Sequence, residues 1–524
     1  MPQLMTAGAT ASPPAADLAA IDELLDLERQ KLSVIPARRS TPTERWMEYL
    51  GFPLGLAAFG LLYCLPTPVG LTGAGQAALA CFALALIWWI AEPVPTYVTS
   101  LVLMVALVFT DAWKESKVLG VLGLDVIWLN VMAFILSAIL IRTNLAKRLA
   151  LALLVRFGRR AGTTLLAFVL LQLALAPLIP ATAARAVMTL PLMLVVAAIY
   201  QSSAAHPTNF GRNLMLQNLL GINVFSSGFM TGSTANLIAI GFILTMGGQR
   251  VYYTDWMFAN LPVAIVAMAF AWWVGPKILF PIAEVDAHPK IPGGIDALKA
   301  QLVRLGPLSF NERKGLAIFG FVVFLWVTDR FHAGWFGFSI DPVMAAMLGV
   351  VIAFLPRVGL LTWNDADIPW HLMIFSAGAY AGGLALDDSG AARWVVQSVF
   401  DLLRFGRHAD FWVVYVVVIA VNMYSHFFFT AKTMRTIIMI PFVIGIAKYL
   451  GFPPISLALP AAFTIDWVIG LPISAKPNLI LFTTGQYSVL DNLKYGFVMT
   501  TVGVVLLTIA GLTWFRLLGI TPGF

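Results

Sequence analysis

Charge is what this chain has least of. Asp, Glu, Lys and Arg make up 11% of 524 residues, while 60% are hydrophobic and mean hydropathy is +0.85. That is too little charge to cover a water-facing surface of this size, so a soluble globular protein is excluded. Apolar runs long enough to cross a bilayer point instead to a polytopic membrane protein. Cysteine is scarce as well. Cys64 and Cys81 both lie in apolar segments, so neither a disulfide framework nor a metal site is expected. No His-Glu-x-x-His or Gly-x-Ser-x-Gly motif and no Cys/His cluster occurs, which argues against an enzyme and against a cofactor. The first residues lack a basic region followed by an apolar core, so no signal peptide is expected.

The formal net charge is +7, yet the basic residues are spread through short loops and do not form a nucleic-acid patch. Arg38, Arg39 and Arg45, then Lys147, Arg148, Arg156, Arg159 and Arg160, then Lys299, Arg304, Arg313 and Lys314 fall on one side if the spans alternate. That side is expected to be cytoplasmic, together with the N-terminus, in a bacterial inner membrane.

Residues 1–48 form an Ala/Pro-rich start followed by "DLAAIDELLDLERQKL", which reads as a short amphipathic helix on the cytoplasmic side. A first half, 49–284, holds spans near 52–68, 76–92, 96–111 and 126–145, the basic amphipathic stretch "LAKRLALALLVRFGRR", and segments broken at "APLIPATAAR" and "SSGFMTGSTAN". The polar stretch 285–313 is read as a cytoplasmic connecting loop. Residues 314–524 then repeat the order of the first half, with breaks inside 411–447 and 455–485. "ATAARAVMTLP" (181–191) lies without gaps on "AKTMRTIIMIP" (431–441), and "TANLIAI" (234–240) on "KPNLILF" (476–482). The expected fold is all-α: two inverted repeats, about 11 transmembrane helices and two re-entrant helical hairpins with tips at 180–184 and 430–434.

Non-helical backbone at membrane depth needs partners, and four breaks in matching places suggest a site more than they suggest ordinary kinks. Half-helix N-termini attract anions, whereas carbonyl ends and side-chain oxygens hold cations. Trp88, Trp89, Trp272, Trp273 and Trp370 read as interface anchors, and His371 and His426 as packing residues.

The stretches "EPVPTYVTSLVLM", "VIWLNVMAFILSAILIRTNLAKRLAL", "PATAARAVMTLP", "GSTANLIAIG", "IPWHLMIFSAGAYAGGLALDDSGAARW" and "PISAKPNLILFTTGQYSVLDNLKYG" resemble, in this order, the divalent anion/sodium symporter family. The resemblance covers roughly 50–520 and implies a homodimeric secondary carrier that moves anions by an elevator-like displacement. In that family both hairpin tips carry Ser-Asn-Thr, which contacts substrate carboxylates and helps to hold sodium. Here the tips are Ala181-Thr182-Ala183 and Ala431-Lys432-Thr433, and a Thr-Pro-Pro-Asn-like turn becomes Ala475-Lys476-Pro477-Asn478. Oxygen ligands are lost and ammonium groups gained, which argues against ordinary sodium coupling and leaves at most a residual sodium site near Ala181 and Gly232.

The resemblance thus implies a substrate site built from Thr182, Arg185, Ser233, Asn236, Lys432, Thr433, Arg435, Lys476 and Asn478. Lys432 and Lys476 are expected to replace sodium charge, Arg185 and Arg435 to offer bidentate carboxylate contacts, and Asn236 and Asn478 to hold the breaks open. The alternative for the lysines is a structural ion pair with Asp466, and for the arginines snorkelling. The leading expectation is sodium-independent exchange of C4/C5 dicarboxylates such as malate, succinate and oxoglutarate. A sodium-coupled dicarboxylate symporter and a permease for sulfate or another inorganic oxyanion are the alternatives.

Overall fold

The structure is a computed structural model that describes residues 42–291, 293–366, 368–402, 409–429 and 431–522. Every regular element among them is helical. The amphipathic helix expected near the N-terminus lies outside the described residues. The first helix, α1 (Pro42–Cys64), straddles the boundary placed at residue 48, because "TERWMEYL" continues the helix N-terminal to its apolar run.

Seven helices among the described residues are long and apolar enough to cross a membrane, or eight if the bent pair Phe310–Val327 and Asp329–Phe336 is one span. The first half continues with α2 (Gly73–Ala91), α3 (Thr96–Phe109), α4 (Glu115–Gly120), α5 (Asp125–Arg142) and α6 (Leu145–Phe157). Glu92 ends α2 in the left-handed region at φ 49°, just before Pro93, so it caps a span. Trp88 and Trp89 are buried, with Trp88 donating to Phe52 O at 3.2 Å, so these two are packing residues and not interface anchors.

The two broken segments follow. Helices α7 (Ala161–Leu175) and α8 (Thr182–Ile199) are joined by 176–181, and α9 (Asn209–Ser227) and α10 (Thr234–Thr245) by 228–233. Each of α7 and α10 is shorter than a full span, because Pro177, Pro180 and the Gly-rich "GFMTGS" interrupt the apolar runs. Helix α11 (Tyr253–Val274) runs into a π turn at Gly275–Leu279 and closes this half.

Residues 285–313, read as a polar loop, contain a further helix, α12 (Gly294–Arg304), which packs on α6. Arg148 of α6 fixes it there. Its guanidinium donates to Glu312 Oε1 at 2.7 Å and to the carbonyls of Gly306 at 2.7 Å and Leu305 at 3.0 Å. Lys290 and Ile291 donate through their backbone to Ile199 O, so the connection is clamped to the end of α8.

The second half repeats the order. Helices α13 (Phe310–Val327), α14 (His332–Phe336), α15 (Pro342–Phe354), α16 (Trp370–Asp388) and α17 (Ala391–Leu402) lead to α18 (Phe411–Ser425) and α19 (Lys432–Leu450). Helices α20 (Pro454–Thr464) and α21 (Lys476–Phe482) form the other interrupted segment, and α22 (Val489–Leu512) and α23 (Trp514–Leu517) end the chain. The halves interlock crosswise. Helix α8 of the first packs on α21 of the second, and α19 of the second on α10 of the first.

Candidate functional site

The repeat is legible atom by atom at the two breaks. Asn236 Nδ2 donates to Ser226 O at 2.8 Å and to Phe229 O at 3.0 Å. In the register that lays Asn236 on Asn478, Asn478 Nδ2 donates to Val468 O at 3.1 Å and to Leu471 O at 2.9 Å, the equivalent carbonyls. A single 3-10 turn, Met230–Gly232 or Pro472–Ser474, precedes an extended residue, Ser233 or Ala475, from which α10 or α21 starts. Each asparagine thus supplies donors to carbonyls that the broken helix frees, as buried backbone at this depth requires. At Gly232 a side chain would collide with the backbone of Ser226, so the tight return of the first break needs glycine.

The two arginines are equally matched. Arg185, fully buried near the start of α8, donates from Nη2 to Ile222 O at 3.0 Å, to Ser226 Oγ and to Gly232 O at 3.3 Å. Arg435, fully buried near the start of α19, donates from Nη2 to Thr464 O at 2.7 Å and to Ile465 O. Ile222 and Thr464 are equivalent in the same register. Both guanidiniums therefore sit at the C-terminal end of a half-helix, where exposed carbonyls and the helix dipole favour positive charge. Gly232 O, a carbonyl of the expected residual sodium site, is occupied by this cation. Nη2 being engaged by backbone, the expected fork on a substrate carboxylate is replaced by a tie from α8 to the first break and from α19 to the second. Nε and Nη1 of each arginine stay buried with no partner among the described residues. An unmet buried donor costs about 1–3 kcal/mol, more when charged, so an anion oxygen beside either guanidinium would be stabilised.

Lys432 and Lys476 part company. Lys432, the first residue of α19, is buried, and its Nζ lies 3.0 Å from Asp466 Oδ1. Asp466 stands just past the end of α20, fully buried, and its Oδ2 accepts from Ser233 Oγ at 2.9 Å. One carboxylate thus joins α19, the second break and the first break. Lys476, at the start of α21, is exposed and has no ion pair among the described residues. Only one of the two expected ammonium groups enters the buried centre, and its charge is already matched. Thr182 and Thr433 are half-buried at their helix starts, where first-turn N–H groups lack intrahelical acceptors.

Sequence reasoning missed Asn223. Its Nδ2 donates to Val468 O at 2.8 Å and lies 3.4 Å from Asn478 Oδ1, so α9 of the first half braces the second break. The signal available was an amide in an otherwise apolar stretch, "LLGINVF", which at membrane depth demands a partner. His426 makes two contacts as a packing residue: Nδ1 to Met423 O at 2.6 Å, and Nε2 to the N–H of Gly470 at 3.1 Å.

Comparison with known proteins agrees with this architecture. The family described as the sodium:sulfate symporter transmembrane region matches residues 45–521. A protein of Cupriavidus necator described as a membrane protein is 26% identical over 508 residues, covering 93% of this chain and 95% of its own. The sodium-dependent dicarboxylate transporter SdcS of Staphylococcus saprophyticus is 25% identical, covering 88% of this chain and 90% of its own, and that of Staphylococcus aureus is 24% identical with the same coverage. Among solved structures, the YdaH transporter of Alcanivorax borkumensis shares the fold at a TM-score of 0.50 and 12% identity, covering 92% of this chain and 99% of that one.

Proposed function

The chain belongs to the sodium:sulfate symporter family of membrane transporters, and from that premise we propose that it is a secondary carrier of small dicarboxylates, such as malate, succinate and oxoglutarate, working by sodium-independent exchange. The observation that carries this reading is the pair of buried guanidiniums. A dianion leaving water needs compensating charge, because its hydration is worth far more than any neutral contact returns. Arg185 and Arg435 supply two positive charges, and Lys432 and Asp466 cancel each other, so the buried centre has the charge complementary to a dicarboxylate. These fixed cations already take the carbonyl ends where a mobile cation would bind. An empty centre then stays cationic and returns across the membrane more readily with a counter-anion.

In this reading Thr182, Ser233, Asn236, Thr433 and Asn478 lie around the anion, and Lys476 draws it in from the aqueous side. The repeats, 49–284 and 314–524, are joined by the cytoplasmic connection at 285–313; re-entrant hairpins α7–α8 and α18–α19 move with the breaks. The carrier is a homodimer in a bacterial inner membrane with its N-terminus in the cytoplasm. A sodium-coupled dicarboxylate symporter is the second reading, favoured by the names of the SdcS relatives.

The test is uptake of labelled succinate, malate, oxoglutarate, citrate and sulfate into proteoliposomes preloaded with each unlabelled anion. Preferred accumulation of a C4 or C5 dicarboxylate supports the proposal; preferred sulfate uptake rejects it.

A further inference from the structure

Where α13 ends, remote from the 285–313 connection, the chain bends by 61° into the five-residue α14. Around that bend five aromatic rings stand 48% to 61% exposed: Phe324, Phe331, Trp335, Phe336 and Phe338. Phe331 and Trp335 stack with centroids 5.6 Å apart and Phe324 and Trp335 at 6.3 Å, while Phe336 meets Trp335 edge-on at 6.3 Å. Gly337, at φ 77°, turns the chain so that Phe338 joins them, 6.1 Å from Phe336. A cluster of packed rings this exposed needs a partner other than water.

Its surroundings say which partner. The rings continue the exposed flank of α13, Leu316, Phe321 and Phe324, on a helix that together with α14 is apolar enough to cross a membrane. Lipid therefore reaches them. Two features exclude hydrocarbon depth. Residues 337–341 are not helical, and lipid-exposed irregular backbone does not occur in the hydrocarbon region. Arg330 and Asp341 flank the segment, each in a partly exposed ion pair, with Asp255 and with Arg250.

We propose that residues 331–338 form a lipid foot, its rings seated at the boundary between phospholipid headgroups and acyl chains. Trp335 is the amphipathic member, with an indole N–H for the headgroup side and a ring face for the chains, as in interfacial aromatic belts. The foot is a rigid part of the fold. Beneath it His332 is buried, bonded to Thr328 Oγ1 at 3.0 Å and to Ile340 O at 3.3 Å. Asp329, also buried, accepts from the Tyr253 N–H at 2.7 Å and from Thr254 Oγ1 at 2.7 Å, which secures the start of α11. Trp326 donates to Pro342 O at 3.0 Å and stacks on Tyr253 at 5.0 Å, and the Tyr253 hydroxyl lies 3.4 Å from Thr231 Oγ1 in the first break. These contacts join the foot to α11, α15 and the first break.

The experiment uses the purified full chain in phosphatidylcholine vesicles whose acyl chains carry bromine either close to the glycerol or close to the methyl end, with unbrominated vesicles as reference. Wild-type tryptophan emission minus that of Trp335→Phe isolates Trp335, and Trp335→Tyr serves where the first variant does not fold. A foot at this boundary lies about 5–10 Å into the bilayer, so shallow bromine is expected to remove about half or more of the Trp335 emission, and deep bromine clearly less. Stronger loss with deep bromine places the segment in the hydrocarbon and overturns the foot. Loss with neither overturns it as well, whether water or a second copy covers the rings; cross-linking between copies at this segment tells those two apart. If neither variant folds, the wild type decides alone, with a phospholipid that carries a photoactivatable diazirine beside its headgroup. Adducts found by mass spectrometry within 331–338 support the foot, and their absence there overturns it.

Discussion

The two breaks share their frame and differ in their charge. In both, an asparagine two residues into the second half-helix ties back to two freed carbonyls, and an arginine from α8 or α19 meets the first half-helix. In the first, α9 continues to Ser227; in the second, α20 stops at Thr464, about one turn earlier in the shared register. That extra unwound turn is where Asp466 stands. The same frame has therefore been used twice, once around a centre with a single cation and once around a cation with an ion pair beside it. The difference teaches that the frame is a matter of backbone satisfaction, which both halves must solve alike, whereas charge is free to diverge.

The largest effect is expected from removing the arginines. Arg185→Leu and Arg435→Leu each strip a buried cation from the carbonyls of a half-helix end, and hydrogen bonds from a charged donor are worth roughly 1.5–3 kcal/mol each. Dicarboxylate transport in vesicles should fall to background in both. A large loss in one and near-normal rates in the other would break the symmetry argued here.

Next come the asparagines. Asn236→Leu and Asn478→Leu each forfeit two hydrogen bonds, about 1 kcal/mol apiece with a further penalty for the stranded carbonyls. Thermal melting in detergent should shift down for both, and more for Asn478→Leu because Asn223 also bonds to that side chain. Equal shifts would show that the brace from Asn223 carries no weight.

The connection between the halves should matter less to transport than to stability. Arg148→Ala leaves Glu312 with only the Ser309 N–H and strips the carbonyls of Leu305 and Gly306 of their donor, so melting should fall by about 2–4 kcal/mol equivalent while the Km for the anion holds. The smallest effect on stability belongs to Lys476→Thr. This side chain is exposed, and surface changes stay within about 0.5 kcal/mol, so a marked loss of melting temperature would mean that Lys476 is committed elsewhere.

Much of the frame could be read from the chain, because it rests on local chemistry. The gapless matches around Arg185 and Arg435, and around Asn236 and Asn478, located both breaks, and Gly228 explains why α9 stops at the first. The early end of α20 was not legible: "LPAAFTIDWVIG" offers no breaker between Pro460 and Gly470, and the turn unwinds where Arg435 can meet its carbonyls. The partner of Asp466 was not fixed by sequence either. Lys432 and Lys476 both flank a break, and which ammonium turns inward depends on how α19 and α21 lie against α10 and α8. Asn223 lay outside every repeated motif, so its crossing to the second break emerged only from the packing of the halves.

The central claim is that fixed guanidinium charge takes the place of sodium, and trans-stimulated efflux tests it most directly. Proteoliposomes loaded with labelled succinate would be diluted into sodium-free medium with or without unlabelled succinate outside. The account predicts rapid efflux only when external anion is present, at a rate unchanged by adding sodium. Efflux that requires sodium and ignores the external anion would contradict it.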